Sequence, residues 1–115
     1  MEYLLLICTE EAKDLAMSEE EAAARMARYG KFGDEMSRRG VLRGGARLHP
    51  TSDATTVTVR NGEVVTFDGP FAETKEQMGG YYVVDCKDLD EAIEIASKIP
   101  GAQEGSIEVR PIWHM

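Results

Sequence analysis

The 115-residue chain predicts an α+β fold, a ferredoxin-like sandwich with an inserted β-hairpin. Three observations carry that expectation. Short apolar runs suited to strands alternate with two segments whose apolar residues recur at helical spacing. The order reads strand, helix, strand, hairpin, strand, helix, strand. Two of the runs, Tyr3-Leu4-Leu5-Leu6-Ile7-Cys8 and Tyr81-Tyr82-Val83-Val84-Asp85-Cys86, place a tyrosine and a cysteine five residues apart ahead of a helix, as two βαβ halves would. Interlocking such halves is expected to set the first and third core strands side by side and parallel, with Cys8 and Cys86 as neighbours.

Tyr3 to Cys8 is almost wholly apolar and reads as a strand covered on both faces. Ser18 with Glu21 fits a capping box for a long helix. Its inner face is expected to carry Ala22, Met26, Tyr29, Gly33 and Met36, its outer face Arg25, Arg28, Lys31 and Glu35, and Gly40 ends it. Val41 to Leu48 reads as the second strand, in which Gly44-Gly45 predicts a bulge or a close backbone approach.

Thr55 to Arg60 and Glu63 to Asp68 flank Asn61-Gly62, the signal of a two-residue type I′ hairpin, and that register opposes Arg60 to Glu63 and Val59 to Val64. Gly80 to Cys86 is the next strand. Asp88 with Glu91 caps a shorter helix whose inner face is expected at Leu89, Ala92, Ile93, Ala96 and Ile99. Pro100-Gly101 stops it, and Ser106 to Trp113 closes the chain with Ile107, Val109 and Trp113 on one face.

Composition narrows the functions. Thirteen Lys and Arg stand against twenty-one Asp and Glu, a net charge of −8 that disfavours nucleic acid and anionic lipid as partners. No apolar run approaches the ~20 residues of a membrane span, and Met1 to Ile7 has no basic leader, so no membrane contact is expected and the cytoplasm is the expected location. Cys8 and Cys86 read as reduced, inert thiols. His49 and His114 lack metal-ligand spacing, and no phosphate loop, dinucleotide fingerprint or nucleophile elbow is present, so neither metal nor cofactor is expected. Two helices cover only one face of such a sheet, yet both faces of the first strand are apolar. A second copy of the chain is the expected cover, which makes a homodimer.

Asp68-Gly69-Pro70-Phe71, continuing as Ala72-Glu73-Thr74-Lys75-Glu76-Gln77, is the densest stretch of chemistry. Glycine tolerates unusual backbone angles and proline fixes its own φ, so a bend is specified with Asp68 at its start. Asp68 is the candidate catalytic residue, as a general base or an orienter; equally, it suits an Asx turn. Arg47, His49, Lys75 and Tyr81 are the candidate ligand contacts, since a guanidinium, an ammonium, an imidazole and a phenol suit a small carboxylate. Tyr82 is an alternative to Tyr81.

This motif, with Gly79-Gly80-Tyr81-Tyr82 and the ending Ile107-Glu108-Val109-Arg110-Pro111-Ile112, closely resembles the DGPF branch of the YCII-related family over essentially the whole chain, one domain spanning 1–115. The resemblance implies a dimeric α+β barrel in bacterial cytoplasmic proteins often found near extracytoplasmic-function sigma factors. The wider family resembles enzymes built around a His/Asp pair, with the histidine early on the first long helix. Arg25-Met26-Ala27-Arg28-Tyr29-Gly30 holds no histidine here, so that pair is not carried over. Two functions follow: a protein binding a small acidic molecule near the dimer interface, with acid/base chemistry if it is an enzyme, or a non-catalytic regulatory or interaction module linked to sigma-factor regulation.

Overall fold

A computed structural model describes residues 1–114. Its elements are β1 (Glu2–Glu10), α1 (Glu11–Leu15), α2 (Glu19–Arg39), β2 (Leu42–Arg47), β3 (Thr55–Arg60), β4 (Glu63–Asp68), β5 (Glu76–Asp85), α3 (Leu89–Ser97) and β6 (Ser106–Pro111). Short 3₁₀ turns occupy Thr51–Asp53 and Pro100–Gln103. The main sheet has the order β2-β5-β1-β6, and β3-β4 forms a separate ribbon. Two split βαβ halves, β1-α2-β2 and β5-α3-β6, therefore interlock in an α+β, ferredoxin-like fold, with α1 as an added turn of helix.

Neighbouring strands all run antiparallel, which corrects the expected parallel pairing of the first and third core strands. β1 and β2 do share a direction, but the slot between them is filled by β5 coming back the other way. The cysteines are consequently far apart in register. Cys8 pairs with Met78, while the Cys86 amide donates to the Met1 carbonyl at the other end of β1. Burial raises the pKa of both thiols, in keeping with unreactive sulfur.

The sheet's helix face is built by Tyr3, Leu5, Ile7 and Thr9 of β1, all buried, with Val84 and Gly80 opposite on β5. Phe32 and Met36 of α2 and Ala92, Ile95 and Ala96 of α3 close over it, and Ile99 follows α3 into the same core. Phe32 packs on Tyr82 with ring centroids 5.0 Å apart. On α3 the inner position is Ile95 rather than Ile93, which is 50% exposed, as is Leu89 at 49%. Leu89 and Ile93 are spaced by four and share one stripe, but the stripe that packs inward runs Ala92, Ile95, Ala96 and Ile99, at i, i+3, i+4 and i+7. Trp113 lies beyond β6 and is 87% exposed, so it is not part of the core face.

Local signals were reliable. Ser18 Oγ accepts from the Glu21 amide at 3.1 Å and Asp88 Oδ1 from the Glu91 amide at 3.0 Å, as N-caps. Gly40, at φ 71°, ends α2 in the left-handed conformation. Asn61 and Gly62 have φ of 53° and 77°, the two positive values of a type I′ turn, and Arg60 opposes Glu63 as Val59 opposes Val64. The register of β2 shifts between Leu42 and Gly44. A Cβ at Gly45 would stand 2.8 Å from both the Tyr81 carbonyl oxygen and Tyr82 Cδ1, the close approach that the paired glycines anticipate.

The corrected face of α3 predicts a contrast. Ile95→Ala removes a fully buried side chain and is expected to cost about 3 kcal/mol, whereas Ile93→Ala stays within about 1 kcal/mol. Urea denaturation of the two variants checks the assignment, and equal losses would refute it.

Candidate functional site

A cleft of about 410 Å³ opens on the helix side of the sheet. Its floor is the end of β1 with the facing parts of β2 and β5, where Ile7, Gly45, Gly80 and Tyr82 lie. Its roof is α1 with the N-terminal half of α2. The volume falls within the roughly 300–1,000 Å³ of small-molecule sites. Ala22, Met26 and Tyr29, expected on the inner face of α2, line this opening, and only the later turns of the helix reach the closed core.

One wall holds a linked polar group. Asp14, on α1, accepts from Thr9 Oγ1 at 2.5 Å and from Arg25 Nη1 at 2.8 Å. Arg25 also donates through Nη2 to Glu104, which Arg28 Nη2 reaches at 3.2 Å. Arg25 was expected on the solvent face of α2, yet its side chain is only 18% exposed, and its Nε is buried without a partner among the described residues. The carboxylates of Asp14 and Glu104, brought up from α1 and the loop before β6, offset the desolvation of the guanidinium. Spacing carried a signal for this position, because Arg25 is i+3 from Ala22 and i−4 from Tyr29, two residues assigned to the inner face. Asp14 sits in a five-residue helix with no periodicity to read.

Arg47 and His49 form the opposite wall. Arg47 is the last residue of β2, and its Nη1 lies 3.7 Å from Met26 Sδ across the cleft. Among the described residues it has no acidic partner, whereas Arg25, Arg28, Arg39, Arg43 and Arg110 each have one; Arg38 and Arg60 have none either but lie away from the cleft. His49 Nδ1 lies 3.2 Å from Asp53 Oδ2. Tyr81 and Tyr82 both border the cleft, but the register puts only the Tyr82 side chain, opposite Leu5, on the helix side, and Tyr81, opposite Leu6, faces the other side of the sheet.

Asp68 and Lys75 are placed elsewhere within the chain. Asp68 ends β4 opposite Thr55, and its carboxylate makes no hydrogen bond among the described residues. The bend is held instead by the Gly69 amide donating to the Ala54 carbonyl at 2.7 Å and by Thr56 Oγ1 donating to the Gly69 carbonyl at 2.8 Å. Gly69 has φ 108°, and Phe71 projects with 85% of its surface exposed. Lys75 is exposed, 3.8 Å from Glu10 Oε1. Lys13 and, more weakly, Lys75 hold the Glu10 carboxyl below its ordinary pKa. Of the expected contacts, Arg47 and His49 stand on one wall of the cleft with Tyr82, the alternative to Tyr81, on its floor, and Thr9, Asp14, Arg25 and Tyr29 were not foreseen as lining it. Among the described residues no group of three His, Cys, Asp or Glu is placed to hold a metal ion, and no helix is long and apolar enough to cross a membrane.

Fold and cleft together define a ferredoxin-like α+β protein with a mainly apolar pocket between its first helices and the sheet. A model of the YCII-related domain matches residues 1–115, and the chain belongs to that family. It is similar to an uncharacterised protein of Rhizobium meliloti (strain 1021), 40% identical over 114 residues, covering 97% of this chain and 92% of that protein.

The cleft tyrosines yield a pH prediction. Burial raises the pKa of Tyr29 and Tyr82, with each other's proximity adding to Tyr82, above the ordinary value of about 10. A group whose folded pKa is raised contributes stability that is complete below the unfolded pKa and is lost as pH rises through the folded one. Stability is thus expected to fall above about pH 10, as tyrosinate absorbance grows in. Tyr29→Phe and Tyr82→Phe should each delete one late transition; ionisation of both phenols at the pH of free tyrosine would contradict the burial argument.

Proposed function

We propose that the cleft binds a small molecule with a carboxylate or similar anionic group on an apolar body, and that Arg47 is its principal anion contact. The observation that carries this reading is the unpaired guanidinium. In a chain with 21 acids and 13 bases, an arginine left without a carboxylate at the wall of an apolar pocket is a vacant fork for an acidic ligand. His49 adds a second cation or acceptor and Tyr82, on the helix face of β5, a hydroxyl, while Tyr81 opposite Leu6 turns its side chain to the other face of the sheet, and the apolar floor takes the remainder of the molecule. Lys75 contributes charge at the Glu10 end rather than direct contact.

Asp68 lies outside the cleft of its own chain, so it enters as the candidate for acid/base chemistry where the partner copy brings it to the bound acid, and the Asp68–Phe71 bend supports reading the chain as a member of the DGPF branch of its family. The protein acts as a homodimer in the bacterial cytoplasm, its 115 residues forming one functional unit. Support for the dimer comes from the second face of the sheet, where Leu4 and Leu6 of β1 lie opposite Val83 and Tyr81 of β5 and no helix of the chain covers them.

A thermal-shift screen of small carboxylic acids tests the ligand. At least one acid is expected to raise Tm, and Arg47→Met is expected to weaken its binding by about 10- to 100-fold while leaving the ligand-free Tm within about 2 °C. No response to any acid would overturn the reading and favour the non-catalytic interaction module. Asp68→Ala separates chemistry from architecture: loss of the ligand response or of turnover with Tm intact assigns Asp68 to the site, and a lowered Tm with the response intact assigns it to the bend. Light scattering at micromolar concentration is expected to give twice the chain mass, and a monomer would sink the dimer.

A further inference from the structure

The β3-β4 ribbon is an element without a core of its own. Its strands pair with each other and with no strand of the main sheet, and neither packs extensively on a helix of the chain. A two-stranded hairpin isolated in water is marginally stable at best, so a ribbon of this kind requires something against its apolar side. The register sorts its side chains. Val57, Val59 and Val64 share one face with Thr55, Thr66 and Asp68, and the three valines are 59%, 58% and 70% exposed. The other face carries Arg60 paired with Glu63, beside Val65 and Phe67.

We propose that this ribbon is an arm that buries its Val57/Val59/Val64 face against a second copy of the chain, so that each protomer is clasped by the other's arm. The inference rests on the dimer read above and adds an interface separate from the open sheet face. Surface area argues for a self-partner. The chain exposes 7980 Å², against about 6,200 Å² expected for a folded monomer of its mass. Its radius of gyration is 16.0 Å, against about 13 Å for a chain of this length. The surplus of roughly 1,700 Å² per chain, doubled across a two-fold, lies within the roughly 2,000–5,000 Å² of obligate homodimers.

Charge points the same way. Only Arg60, Glu63 and Asp68 are charged between Thr55 and Asp68, and the first two oppose each other, so the arm is nearly neutral while the chain carries −8. A second acidic copy is not repelled by it, and a two-fold axis brings the same valine face to both sides.

Two variants of the full chain test the arm by sedimentation and by hydrogen exchange. Val57→Thr/Val59→Thr/Val64→Thr keeps β-branched side chains and the Asn61-Gly62 turn, so the hairpin remains locally allowed. It is expected to raise the dimer dissociation constant at least about 100-fold. Amides of β3 and β4 in the unaltered protein are expected to be protected at concentrations where it is dimeric and to exchange at least about 100-fold faster on dilution below that constant. Leu6→Asp, on the open sheet face, probes the dimer itself. If Leu6→Asp dissociates the protein while the triple variant leaves association and arm protection unchanged, the arm is refuted and the dimer stands. If the unaltered chain is monomeric with a protected arm, both fall.

Discussion

The structure depends on the burial of one face of β1. Tyr3, Leu5, Ile7 and Thr9 point under the helices; the first three form rows that continue into β5 and β6, and Thr9 pairs on β5 alone. Removing that contact leaves α2 and α3 with no surface to pack on, because each helix has a single apolar stripe and helices of this length derive most of their stability from packing. The same strand sets the layer count. Two helices span four strands on one side only, so the molecule is a thin body, 18 Å across its shortest principal axis and 44 to 48 Å along the others. A cleft, an uncovered sheet face and an unsupported ribbon are three consequences of one economy: 115 residues build a single helix layer.

The position of the cleft follows from the same geometry. α2 packs tightly where Phe32 and Met36 meet the sheet and stands off where Ala22, Arg25, Met26 and Tyr29 pass over it. Charged groups stand on both sides of the space between: Asp14 fixes Arg25 against the α1 wall, and Arg47 stands at the β2 wall with a thioether as its neighbour. Arg25 is held by two carboxylates through its Nη atoms while Arg47 has no acid beside it, and the proposed anion contact rests on this asymmetry.

Legibility in the sequence divided along the range of the interactions. Caps, the hairpin turn and its register were readable because each is decided within four residues: Ser18 with Glu21, Asp88 with Glu91, Asn61 with Gly62. Strand direction was not, since the order β2-β5-β1-β6 is a property of how two halves interlock, and the tyrosine and cysteine shared by β1 and β5 fit either direction. Arg25 was misread for a related reason. Helical spacing placed it beside inner-face residues, but charge alone suggested solvent, and the acids that neutralise it come from Asp14 and Glu104, distant along the chain.

The division also explains why the most recognisable stretch is not where the cleft lies. Asp68-Gly69-Pro70-Phe71 is compact in sequence because a bend is a local object: a positive φ at Gly69, a fixed φ at Pro70 and two hydrogen bonds to Ala54 and Thr56 complete it. The cleft is the opposite kind of object. Thr9, Asp14, Arg25, Arg47 and Tyr82 come from five segments, each bringing one polar group to the cleft, so no single window of sequence displays it. A short motif can therefore mark the family while the residues that line the cleft carry no motif of their own. What joins the two is the chain path. His49 and Pro50, at the cleft rim, lead through the turn at Thr51, which Glu11 anchors at 3.0 Å, directly into the arm that ends in the bend. On the proposals above, a partner that fixed the arm would also fix one edge of the cleft, and ligand binding and association would be linked through residues 49 to 54.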